Sequence, residues 1–213
     1  MIIQFSVSNY LSFKELSTLS LLTTNLKEAA IADTDSMTEM GDAIPAILHG
    51  AAIYGANASG KSNYAKAFST FKWLVVNTKK ELQAGETMDV ESFMLNSTTA
   101  KEPSVFEIVF CNTVYIFRYG FEVDNNKVYK EWLYRRNNKK RAKEVELLYR
   151  EADAYNVHPS CAIAKNLIAN KMVRDNALLV SVAAQFNDET AVSIVNWLND
   201  TSIITSHDDE VMW

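Results

Sequence analysis

The residue types best suited to chemistry fall in one stretch, Gly55-Ala56-Asn57-Ala58-Ser59-Gly60-Lys61-Ser62-Asn63. Its spacing, G-x-x-x-x-G-K-S, is that of a loop that cradles phosphates. Gly55 and Gly60 let the backbone bend and bring its N–H groups close to an anion, which side chains would obstruct. A helix starting at the end of the loop adds unpaired N–H donors and a partial positive charge aimed at the same anion. Lys61 supplies a mobile cation for the outer phosphates, and the Ser62 hydroxyl suits Mg²⁺. The motif carries weight only between a strand and a helix. The apolar run Ile44 to Tyr54 predicts a buried strand before it. Tyr64, Phe68, Phe71 and Val75 recur at helical spacing and predict a helix from near Gly60 to about Thr78, ended by Lys79-Lys80-Glu81 and Gly85.

The chain has 213 residues, room for one large domain or two small ones. At 48% hydrophobic and 22% charged it has the makings of an ordinary core. A net charge of −5 does not suggest a dedicated nucleic-acid binder and does not exclude one, since a local basic patch would suffice. Cys111 and Cys161 are far apart and show no metal-type spacing, which points to free thiols in a reducing compartment. No apolar run reaches membrane-spanning length and no leader-type segment opens the chain. The expectation is a cytoplasmic protein with no membrane partner. His49, His158 and His207 form no catalytic grouping with either cysteine, so a thiol-nucleophile enzyme is unsupported.

Met1 to Val7 alternates, with Ile3, Phe5 and Val7 on one face, and predicts a half-buried strand; Phe13 to Leu22 predicts its hairpin partner. Asn25 to Ala43 has no clear period and reads as a surface loop. Glu91 to Ser97 reads as a short strand or an irregular link. From Pro103 the pattern turns to β: strands ending near Phe110, over Val114 to Val123, over Val128 to Arg135 and over Glu144 to Arg150, separated by the turn signals Asn112, Asp124-Asn125-Asn126 and Asn137-Asn138. Ala152 to Ser160 reads as a loop and Ile163 to Met172 as weakly helical. Asp175-Asn176 reads as a cap for a helix over Ala177 to Leu198, broken near Asn187-Asp188. Arg135 to Lys143 holds six of the 21 basic residues. It reads as a solvated hairpin tip, with a phosphate-contacting patch as the alternative. No aromatic interleaves it to form a stacking platform.

The order F-S-V-S-N-Y-L-S-F-K, some 30 less regular residues, then I-Y-G-A-N-A-S-G-K-S-N resembles the ABC-type ATPases of the SMC, RecF and OLD-like group. It is most similar to their bacterial ATP-binding and abortive-infection subset. Asn57 and Asn63 are the residues that make this version of the loop more specific than the bare motif. The resemblance implies ATP and Mg²⁺ as ligands, with Asn9 to Lys14 lying against the nucleotide and Ser12 and Lys14 as contacts; the plain alternative is a hairpin turn with no ligand role. It assigns Gln185 as a sensor of Mg²⁺ beside Ser62; the plain alternative is the polar side of a helix.

The fold implied is α/β, the first lobe of an ABC-type P-loop NTPase. A single lobe over 1–213 would comprise hairpin, loop and first helix (1–80), an antiparallel β meander (90–150) and a helical segment (160–200). The family's glycine-rich signature is missing, and no four-residue apolar run ends in paired acids. Ile203 to Glu210 comes nearest and reads as a solvated tail. The implied chain is therefore the front half of an ATPase, either a fragment that stops before signature and Walker B or a naturally shortened protein, incomplete for hydrolysis alone and completed by a homodimer partner or second lobe. By the same resemblance it acts in phage defence or DNA maintenance, with nucleic acid and a nuclease or toxin as partners. The rival classes are a P-loop kinase-like enzyme and a non-catalytic module with a vestigial loop. A GTPase would want N-K-x-D, which is absent.

Overall fold

The computed structural model describes residues 1–23, 37–38, 46–78, 85–112 and 114–203. Of the expectations above, most of the 25–43 loop, the Lys79-Lys80-Glu81 stop and the tail from 204 onward lie outside the described residues.

One antiparallel sheet organises the molecule. Its strands are β1 (Ile2–Ser8), β2 (Ser17–Ser20), β5 (Ser104–Cys111), β6 (Tyr115–Val123), β7 (Val128–Asn137), β8 (Val145–Glu151) and β9 (Ala154–Val157). Their order across the sheet is β2-β1-β5-β6-β7-β8-β9, with every neighbouring pair antiparallel. A separate two-stranded piece joins β3 (Met37–Thr38) to β4 (Ile47–Leu48). The N-terminal hairpin and the meander therefore share one sheet through β1 and β5, where the sequence suggests a strand-loop-helix centre with a β subdomain beside it. The turns fall where expected because short polar side chains close them: Asn112 Oδ1 accepts from the Val114 and Tyr115 amides, and Asp124 Oδ1 from the Asn126 and Lys127 amides.

Among the described residues four α-helices follow or interrupt the strands: α1 (Lys61–Asn77), α2 (Ala162–Ala169), α3 (Leu179–Gln185) and α4 (Glu189–Asn199). In α1 the buried residues Ala67, Phe71, Leu74 and Val75 form one stripe. The helix meets the sheet through rings: half-buried Phe68 lies edge-on to Phe5 at 5.1 Å, and buried Phe71 stacks on Phe121 at 5.1 Å. Each buried ring of this size contributes roughly 1.5 to 3 kcal/mol by leaving water. Helix α4 is capped by Asp188, whose Oδ1 accepts from the Ala191 amide, and its Trp197 stacks on Phe110 at 4.1 Å.

Several expectations are corrected. Among its described residues, 46–54, the apolar run before the loop forms strand only at Ile47–Leu48; Ile53 and Tyr54 are 46% and 90% exposed. Apolar composition cannot make a buried strand where no neighbour covers it, and no described strand pairs with 49–56. The second hairpin strand is shorter than Phe13 to Leu22. Ile3 does not share a face with Phe5 and Val7, because a register shift between Ile2 and Gln4 turns it to the other side of the sheet. There it packs with Ile47, Cys111 and Ile116. Ala154–Val157 is a strand, not loop. Asp175-Asn176 is not the cap of the helix that follows. The cap for α3 comes from β7: buried Glu131 accepts from the Leu179 amide (2.6 Å), the Val180 amide (3.0 Å) and the Tyr119 hydroxyl (2.9 Å). Arg150, also buried, sits in the same network and donates to the Ala177 carbonyl at 2.8 Å. Burial pushes the Glu131 carboxyl above its ordinary range, against these stabilising donors.

Candidate functional site

The stretch Gly55 to Ser62 folds as a loop leading directly into α1, as its sequence context requires. Gly60 occupies the position before the helix with φ +88°, and Ala58 has φ +63°. Both lie in the left-handed region, where a glycine is at ease and an alanine is strained. No side chain caps the start of α1, so amide donors of its first turn remain available for a ligand. The loop is closed by its own bonds, Ser59 N to Ala56 O at 3.2 Å and Asn63 N to Gly60 O at 3.0 Å. Lys61 Nζ folds over it and donates to the carbonyls of Gly55 (2.8 Å) and Ala56 (2.7 Å), with Ser59 Oγ at 3.5 Å. The cation therefore sits across the mouth of the loop.

The N-terminal turn lies against this loop. Asn63 Nδ2 donates to Ser12 Oγ at 2.9 Å, and a Cβ built on Gly60 would stand 2.5 Å from the same oxygen. Asn57 and Ser62 are both solvent-exposed. Lys14 is exposed and pairs with Glu15 at 3.6 Å. Asn9 does not face the loop as the resemblance implies: its side chain is buried toward residues 93–103. Gln185 is the last residue of α3 and exposed, with no hydrogen bond to the loop among the described residues.

Beside the loop lies a groove of about 280 Å³ bordered by Phe13, Thr18, Ile53, Tyr54, Lys61 and Tyr64. Its floor is fixed by Tyr64, whose hydroxyl donates to the carbonyls of Phe5 (2.9 Å) and Ser17 (3.1 Å) and whose ring meets Phe13 edge-on. Burial pushes the Tyr64 phenol above its usual value, so it stays a neutral donor. From sequence Tyr64 is only a helix-face residue; nothing in its spacing distinguishes a groove wall from a core position. The basic run forms the β7–β8 tip: Lys139, Lys140, Arg141 and Lys143 are exposed, and Arg135 lies over the Tyr115 ring at 4.6 Å.

The family described as "AAA domain, putative AbiEii toxin, Type IV TA system" matches residues 51–159, just over half of the chain and including the whole phosphate loop. The chain belongs to this AAA family. Comparison with curated proteins and with solved structures gave no match. As an AAA domain it is a P-loop NTPase, α/β in class, and ATP with Mg²⁺ is the ligand pair such domains use. The donor set fits that pair: bent backbone with uncapped helix amides for phosphate, Lys61 for charge, and an accessible Ser62 hydroxyl for the ion. Among the described residues no group of three or more His, Cys, Asp or Glu could hold a metal by itself. No described helix of the AAA domain is long and apolar enough to cross a membrane.

Proposed function

We propose that the loop from Gly55 through Asn63 binds Mg-ATP, with Ser12 and Lys14 on the N-terminal turn as further contacts and Ser62 and Gln185 toward the ion. The observation that carries this is the conformation around Gly60: a left-handed residue leading into an uncapped helix with Lys61 folded across the loop. Lys61 would exchange two neutral carbonyl acceptors for anionic oxygens, a stronger charge-assisted bond. The backbone amides hold and orient the phosphates, and bound Mg²⁺ supplies charge neutralisation between them. In the finer reading this is the first lobe of an ABC-type ATPase of the SMC, RecF and OLD-like group. Its hydrolytic site would then be completed by a second copy or lobe, in a phage-defence or DNA-maintenance system with a nuclease or toxin partner.

Calorimetry with ATP and GTP, on the wild type and on Lys61→Ala, tests the proposal. Heat with ATP that disappears in Lys61→Ala is the expected result. Wild-type affinity in the variant sinks the assignment of Lys61, and no heat with either nucleotide favours a non-catalytic module.

A further inference from the structure

We infer that the turn formed by residues 9–14 couples the phosphate loop to the segment 91–103, so that nucleotide at the loop alters that segment. The inference rests on the nucleotide reading of the loop, because it concerns what occupancy there does elsewhere.

The turn is tethered at both ends. At one, Ser12 Oγ accepts from Asn63 and lies close against Gly60. At the other, Asn9 Nδ2 donates to the carbonyls of Thr99 (2.7 Å), Glu102 (2.8 Å) and Pro103 (3.2 Å), while its Oδ1 accepts from the Phe93 amide at 3.2 Å. Leu11 N donates to the Glu91 carbonyl at 2.9 Å. The piece between is short and closed, since Tyr10 and Phe13 exchange backbone bonds of 3.0 and 2.8 Å. It pivots on α1, where the Tyr10 hydroxyl pairs with Thr70 Oγ1 at 2.8 Å.

Its own bonds and its tethers hold this clip in a conformation it would not adopt alone. Asn9 and Leu11 have φ of +48° and +46°. Asparagine tolerates that region, but leucine holds it only where its surroundings impose it. A turn this short, closed by the Tyr10–Phe13 bonds, cannot be shifted at Ser12 without loading the bonds of Asn9 and Leu11. Nucleotide must draw Lys61 off the Gly55 and Ala56 carbonyls, which re-forms the loop beside Ser12. The receiving segment is poised to respond, since it carries Met94 and Leu95 at 72% and 90% exposure and takes all four side-chain bonds of Asn9.

Hydrogen exchange by mass spectrometry on the full chain, with and without ATP and Mg²⁺, tests this. The expected result is added protection at both 55–63 and 91–103. Asn9→Gly permits the positive φ without strain and deletes the side-chain tether. It should retain the 55–63 response and lose the one at 91–103, with a thermal melt to confirm that it folds. A second arm needs no nucleotide: Asn63→Ala should speed exchange at both 9–14 and 91–103 by roughly 2- to 10-fold, the worth of one hydrogen bond. Protection at 55–63 alone in the wild type overturns the coupling and leaves ATP binding intact. No ATP response at 55–63 overturns the nucleotide reading instead. The Asn63→Ala arm then decides the mechanical link, and unchanged exchange at 91–103 refutes it.

Discussion

Gly60→Ala is the substitution for which the structure gives the most explicit arithmetic. An alanine at φ +88° carries the left-handed penalty, about 1 to 2 kcal/mol. Its Cβ would also meet Ser12 Oγ at 2.5 Å. The hydroxyl can swing away, but only by giving up the bond from Asn63, worth about 0.5 to 1.5 kcal/mol. The total is about 1.5 to 3.5 kcal/mol, which lowers Tm by roughly 3 to 14 °C for a chain of this size. If the loop escapes the strain by leaving its cradle shape, ATP affinity falls by the same free energy, roughly 10- to 400-fold. Differential scanning fluorimetry and calorimetry would read the two effects. Repeating the substitution in a Ser12→Gly background separates the causes. There the steric part is gone, so the cost should shrink to the strain alone. An identical cost in both backgrounds means that Ser12 is not the obstacle, and a Tm within about a degree of wild type means that glycine is not required at all.

Three further outcomes are expected. Glu131→Gln replaces one buried acceptor oxygen by an amide facing N–H donors and leaves Arg150 unbalanced; it should cost about 3 to 5 kcal/mol in urea unfolding, whereas Tyr119→Phe, losing one bond, should cost about 1. Gly120→Ala would place a methyl 2.5 Å from the Trp132 ring and 2.6 Å from the Phe106 carbonyl, so a loss of about 1 to 3 kcal/mol with a shift in tryptophan emission is expected, and an unperturbed spectrum counts against that packing. Asp124 is partly buried, which alone would raise its pKa, but the Asn126 and Lys127 amides and the Tyr129 hydroxyl outweigh this and hold it below the usual 3.8. A depressed carboxylate stabilises the fold above its unfolded value and stops doing so as pH falls through the folded one. Asp124→Asn should therefore flatten the loss of stability below about pH 4, and an unchanged acid limb of a Tm-against-pH curve would refute the pairing.

What can be read from sequence is what neighbouring residues decide among themselves. The start of α1 at Lys61 follows from loop and helical period, and the β5–β8 meander from alternation between turn residues that close locally. What cannot be read depends on residues far apart in the chain. The apolar run from Ile44 is no guide to Ile53 and Tyr54: burial needs a neighbouring strand, and sequence does not say whether one is there. The β9 strand is too short to announce itself by alternation and exists because β8 offers it an edge, Leu148 to Glu151 against Ala154 to Val157. Ile3 obeys the period of its strand until the register shift, which only its pairing with β5 reveals. Asn9 reads as a turn residue at the ligand, yet the partners of its four side-chain hydrogen bonds lie 84 to 94 positions away.

The carboxylate that begins α3 has a consequence for the order in which the molecule assembles. A seven-residue helix is well short of the roughly 12 to 15 residues that hold together alone in water. Its opening amides are satisfied by an oxygen pair supplied 48 and 49 positions earlier in the chain. Helical structure at 179–185 should therefore form only once β7 is in place, and injury to that strand is expected to surface first as a missing helix.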